Sequence, residues 1–298
     1  MKSSKSSNSA IPCTNPPPIW KSTRRRIRFP NASIGSCFPG EIILKPWKLL
    51  EVNYNFVKNY SYEVAVLPIG ATEPHNLHLP YGNDAMTTER IGDLICERAH
   101  QLGAKAALLP CIPYGVDSNL MGFPMTISLN PSTVDILITD IVRSIEAHGI
   151  RKMVILNGHG GNGLKNLLRE LYGKTEVFLS LVDWWKVPSD LYPSLLDHPG
   201  GDHAEEMETS VALCLYPELV ELDAADEGAV KTSHFEAINK GWAQITRPWH
   251  LITTNAGVGN PKKADAQKGK IILDAVVERI GQYLFELSEA EIGDAFPY

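Results

Sequence analysis

The stretch GATEPHNLHLPYGND, residues 70 to 84, places Glu73, His75, His78 and Asp84 among Gly70, Pro74, Pro80 and Gly82. Glycine and proline at that density argue against a regular helix or strand, so an irregular segment must hold these side chains. In an extended turn Glu73 and His75, two residues apart, point to one side, and Asp84 returns at the start of the next element. One carboxylate, one imidazole and a second carboxylate able to bridge suit a divalent transition ion, or a pair of them. His159 lies between glycines in NGHGGN, where missing side chains leave its ring access to the same centre, and Glu208 in GGDHAEEMETS completes such a shell. Taken singly the residues say less. Asp84 alone reads as a helix cap, His78 as a hydrogen-bonded structural histidine, and Glu205 and Glu206 as a solvated helix face from which Glu208 turns away. Trp184 and Trp185 read equally well as core or as substrate platform, and with His78 and Gly160 they are the candidates for substrate contact.

The elements that must position these residues alternate in type. From Tyr62, EVAVLPIG, AKAALLPCIPYG, KMVILNGHGGN and EVFLSLVDWW read as short buried strands. Between them, DAMTTERIGDLICERAHQLG puts Ile91, Leu94, Ile95 and Ala99 on one helical face and stops at Gly103. Asn130 is expected to cap a helix that opens on Pro131. LKNLLRELYG, AEEMETSVALCLY and a long run from about Ala264 to Glu289 are the remaining helices. Alternating strands and helices imply a mostly parallel sheet covered on both faces, with function at the carboxyl ends of the strands. Glu73 and His75 follow the first strand and NGHGGN the third. Asp183, Trp184 and Trp185 end the fourth, and GGDHAEEMETS opens a later helix, so the four segments can converge on one pocket. GHGGNGLK imitates a phosphate-binding loop, but Leu164 separates the last glycine from Lys165 and no Ser or Thr follows, which argues against a nucleotide there.

Composition narrows the class. The 298 residues are 44% hydrophobic and 21% charged, as in an ordinary soluble protein. No apolar run reaches the ~18 to 20 residues of a membrane helix. The net charge of −6 divides into +7 before the first acid, Glu41, and −13 after it, which disfavours nucleic acid as a partner. Five scattered cysteines without a CxxC pair point away from disulfides and toward a reducing, cytoplasmic compartment. Residues 1–40, basic and rich in Ser and Pro, read as a flexible or atypical extension, with organellar targeting as an alternative. Residues 41–298 read as a single domain.

The stretches LPIGATEPHNLHLPYGND, IPYGVDSNLMGFPMTISLNPST, ILNGHGGN, DWW, HAEEMETS and GVGNPKKADAQKGK, in this order, resemble the creatininase (creatinine amidohydrolase) family over roughly residues 41 to 285. The resemblance implies a three-layer α/β/α fold, a metal-dependent hydrolase and a homohexamer. It implies two divalent ions (zinc, manganese or iron) per subunit that share Asp84, with Glu73, His75 and His159 as further ligands. Creatininase carries a ligand Glu two residues after this histidine. Gly161 stands there, and Glu208 is the expected replacement. His203 matches the catalytic histidine and Asp202, the acid before it, is the second expected catalytic residue, while the aromatic expected a few residues upstream is absent from DHPGGD. The expected activity is hydrolysis of a C–N bond in a small cyclic amide or formamide. Within the family a keto-cyclitol, a keto-sugar or a peptide is the alternative substrate, and a non-catalytic metal-binding scaffold is the reading from another class.

Overall fold

A computed structural model describes residues 44–293 and 295–298, so the expected extension over residues 1–40 lies outside the described residues. Leu44–Tyr298 form one compact unit. At its centre is a parallel sheet made of β1 (Val64–Ile69), β2 (Ala106–Leu108), β3 (Lys152–Asn157) and β4 (Phe178–Asp183), in the order β2-β1-β3-β4. The expected second strand is cut to three residues, because Pro110 and Pro113 cannot donate to a ladder.

Side chains alternate across the sheet, and each face finds its own helices. Val64, Val66, Val154 and Leu156 pack under α1 (Asn83–Leu102), α4 (Glu206–Leu215) and α5 (Ala266–Glu289), through Ile91, Ile95, Val211, Ile272, Val276 and Leu284. Ala65, Leu67, Ile69, Met153 and Ile155 pack under α2 (Pro131–Ala147) and α3 (Lys165–Leu171), through Val134, Ile138, Val142 and Leu167. The fold is a three-layer α/β/α, as expected.

The helix boundaries follow local chemistry with one exception. Gly103, at φ +112°, ends α1 in the left-handed conformation that glycine adopts without strain. Asn130 precedes Pro131 in the N-cap position of α2, but its side chain makes no capping bond. The carboxylate of Asp265 does cap α5, accepting from the amides of Gln267 and Lys268. At the other end of α5, the buried Lys152 of β3 donates to the carbonyls of Leu287, Ser288 and Ala290 at 2.6–2.9 Å, which satisfies a helix terminus and ties it to the sheet. No helix among the described residues is long and apolar enough to cross a membrane.

Candidate metal centre and active site

The loops after β1 and β3 and the starts of α1 and α4 all meet at the carboxyl rim of the sheet. Glu73, His75, Asp84 and His159 are buried there, and Glu208 is partly so. Asp84, in the first turn of α1, faces two ways: Oδ1 is 2.8 Å from His75 Nε2, and Oδ2 is 3.0 Å from His159 Nδ1. Glu73 Oε1 approaches the same His159 nitrogen at 3.1 Å. Three groups result, Glu73–Asp84–His159, His75–Asp84–Glu208 and Glu73–His75–His203, the ligand atoms within each lying within 4.8 Å of one another. Asp84 belongs to the first two. Both oxygens of Glu73 are buried without a well-directed hydrogen bond, the condition of a carboxylate that a cation would satisfy.

Burial and mutual charge set the ionisation here. Burial raises Glu73 to about 7, with His159 opposing, and Glu208 to about 8, with His75 opposing. Burial alone would lower His75, but Asp84, Glu208 and Glu73 overcome it and raise the imidazole to about 10. Asp84 is depressed below the usual carboxylate range: the positive charges of His75 and His159 outweigh the effect of its burial.

His203 stands against this cluster. Its ring lies 4.2 Å from that of His75, and Nδ1 is 3.7 Å from Glu73 Oε1. Nε2 lies 2.9 Å from the Pro74 carbonyl, which can only accept, so the hydrogen is on Nε2 and the Nδ1 lone pair faces the cluster. Burial and the His75 charge depress this imidazole to about 3. The segment carrying it is clamped by the late GVGNPKKADAQKGK stretch: Val258 pairs its N–H and C=O with His203, and Lys268 reaches back to Glu206.

The other candidates separate. Trp185 and Gly160 line a cavity of about 180 Å³ that opens onto Asp84, His159, His203 and Glu208, with Tyr192 on its wall. Trp184 is 3% exposed and belongs to the core beneath the sheet. His78 is buried with Nε2 on the Thr209 hydroxyl at 2.8 Å, and burial with the His75 charge depresses it to about 4. Asp202 is half exposed and turns to Arg247 at 2.6 Å. The expected solvated face of Glu205 and Glu206 does not exist. Glu205 caps α4 through the amides of Met207 and Glu208, and Glu206, 0% exposed, accepts from the amides of Asp197 and His198 and from Lys268. α5 and the loop before α4 cover the face that the sequence leaves polar, because each buried acid there has a partner.

Three residues near the centre were not singled out from the sequence. A second opening of about 130 Å³ beside Glu73, His159 and His203 is walled by Arg247 and Trp249. The Trp249 ring meets that of His203 edge-on at 5.0 Å, and the Arg247 guanidinium lies 4.8 Å above Trp249. Asp117, in the loop after β2, is 0% exposed and lies 2.9 Å from His159 Nε2. Gly161 is explained by the same ring, since a Cβ there would fall 2.2 Å from His159 Nε2.

The family model Creatininase, described as creatinine amidohydrolase, matches residues 50–284. A creatinine amidohydrolase from Pseudomonas putida is 31% identical over 75% of this chain and 89% of its own length. A mycofactocin precursor peptide peptidase from Mycobacterium ulcerans is 29% identical over 73% of this chain and 84% of its own. A solved structure from Bacteroides fragilis, named for creatinine amidohydrolase, superposes with a TM-score of 0.76 at 33% identity, over 85% of this chain and all of its own. With the sheet order, the shared Asp84 and the placement of His203 already established, these matches decide the family: the chain belongs to the creatininase (creatinine amidohydrolase) family and is a hydrolase of it.

Proposed function

We propose that this protein hydrolyses a C–N bond of a small cyclic amide or formamide at a pair of divalent ions, zinc, manganese or iron, held by Glu73, Asp84 and His159 on one side and by His75, Asp84 and Glu208 on the other. The observation that carries this reading is Asp84, whose two oxygens each serve a separate group of buried ligands. Mixed imidazole and carboxylate donors fit these metals, and solved creatininases in zinc and manganese forms support the assignment. Divalent ions at such a centre lower the pKa of water toward neutrality and polarise a carbonyl.

The chain's own residues do the rest. His203, locked by the Pro74 carbonyl, presents Nδ1 to the cluster and can take a proton there and return it to a leaving nitrogen. Asp202, paired with Arg247, steadies the segment that carries His203. Trp185, Tyr192 and Gly160 shape a cavity sized for a small molecule. A peptide substrate is the second reading, favoured by the mycofactocin precursor peptide peptidase among the relatives. The protein is also proposed to assemble as a homohexamer and to act in the cytoplasm. Apolar side chains at the surface, among them Phe235, Trp242 and Leu251, are consistent with assembly, and light scattering on the purified protein measures it.

The test is metal analysis followed by turnover on lactams, formamides, keto-cyclitols and short peptides. The expected result is two equivalents of metal, with hydrolysis of a lactam or formamide lost on chelation and restored by zinc or manganese. His203→Ala is expected to keep the metal and lose about 10² to 10⁴ in rate. If metal content falls with activity in that variant, His203 is a ligand and not the proton carrier. A metal-loaded protein inert on the whole panel is a scaffold.

A further inference from the structure

Asp117 is a buried acid outside the proposed ligand set. Its backbone is fixed, the amide donating to Ser128 Oγ and the carbonyl accepting from the Leu120 amide, each at 2.9 Å. Neither carboxylate oxygen has a well-directed hydrogen bond among the described residues. Removing a carboxylate from water without a partner is costly, so a group this isolated is kept for what it faces. It faces His159, with Oδ1 2.9 Å from Nε2. The imidazole is confined: a Cβ at Gly115 would fall 3.2 Å from its Cδ2, and one at Gly161 would fall 2.2 Å from Nε2. Held in this slot, the ring turns Nδ1 to Glu73 and Asp84 and leaves its Nε2 hydrogen two acceptors, the Val116 carbonyl at 3.2 Å and Asp117.

We propose that Asp117 is the positioning residue of the centre: its carboxylate takes the His159 Nε2 hydrogen, fixes the tautomer with the lone pair on Nδ1, and strengthens that nitrogen as a donor to a divalent cation. Histidines that ligate metals commonly give their other N–H to a carboxylate, and loss of that partner costs about 10- to 100-fold in affinity. The inference rests on the reading of the rim as a cation site and adds to it a residue that makes no contact with the cation.

Asp117→Asn keeps the shape and an acceptor while removing the charge, and Asp117→Ala removes both. Zinc affinity, measured by competition with a chromophoric chelator, is expected to fall about 10- to 100-fold in the alanine variant, with asparagine between it and the parent. The chelated variants are expected to unfold near the parent's temperature, because among the described residues the Asp117 carboxyl faces His159 and has no other directed partner. Zinc affinity within twofold of the parent in both variants overturns the proposal. A matching drop in the unfolding temperature of the chelated proteins also overturns it, assigning Asp117 to the fold. A parent protein that takes up no zinc removes the centre itself, a distinct result that takes this proposal with it.

Discussion

In the proposed two-cation reading, Asp84 is the carboxylate that both positions share, being common to two of the three candidate ligand groups at this rim. Asp84→Asn is therefore expected to abolish binding at both positions, and Glu208→Gln at one. Metal analysis giving one equivalent for Asp84→Asn would show that the two groups do not share it. Gly161 gives a second prediction at this scale. A side chain placed where creatininase has its ligand should disturb the centre, because the Cβ of Gly161→Ala meets His159 Nε2 at 2.2 Å and the Val116 carbonyl at 2.5 Å. Overpacking of this kind costs about 1 to 3 kcal/mol, so the variant should melt lower and bind metal more weakly. An unchanged melt would mean that the slot has room. Glu73, His75, Asp84 and His159 were legible in the sequence because motif and spacing name them. Asp117, Arg247 and Trp249 were not, because a lone residue in a loop has no period, and its role depends on which ring it comes to lie beside.

Elements show a similar division. The strand runs, the Gly103 stop and the Pro131 start were legible because backbone chemistry dictates them locally. Capping was less so. Asn130→Ala should cost little, since its side chain makes no capping bond, whereas Asp265→Ala should cost about 1 kcal/mol by freeing two amides of α5. Urea denaturation of the two variants tests the contrast, and equal losses would contradict it. Glu206 is the larger case, because it joins the loop before α4 to α5 through Lys268 while buried. Breaking such a pair by removing one partner costs about 3 to 5 kcal/mol, so Glu206→Ala should be among the most damaging single changes near α4. A loss under 1 kcal/mol would mean that water reaches Lys268. Periodicity could not foresee this, because it marks faces as polar or apolar and does not register that a polar face has found partners.

For the whole molecule, the proposed ligands come from segments far apart in the chain, Glu73 to Asp84, His159 and Glu208, so a cation bound by them would tie the sheet to α1 and α4. Zinc or manganese at about 100 times its dissociation constant adds about 2.7 kcal/mol to a protein that binds only when folded. At about 2 to 4 °C per kcal/mol for a domain of this size, the chelated protein should gain about 5 to 10 °C in melting temperature when metal is returned. No shift would mean that the centre is not a cation site. By itself the sequence determined the α/β/α layering and the segments that carry Glu73, His75, Asp84 and His159 to one rim of the sheet, because strand and helix periods and short motifs are local properties of the chain. Only the tertiary structure decided that Trp184 and Glu206 are buried, that Trp249 and Arg247 wall the site and that Asp117 faces His159. Those facts depend on which distant segments pack together, and burial, unlike spacing, is a property of the packed whole.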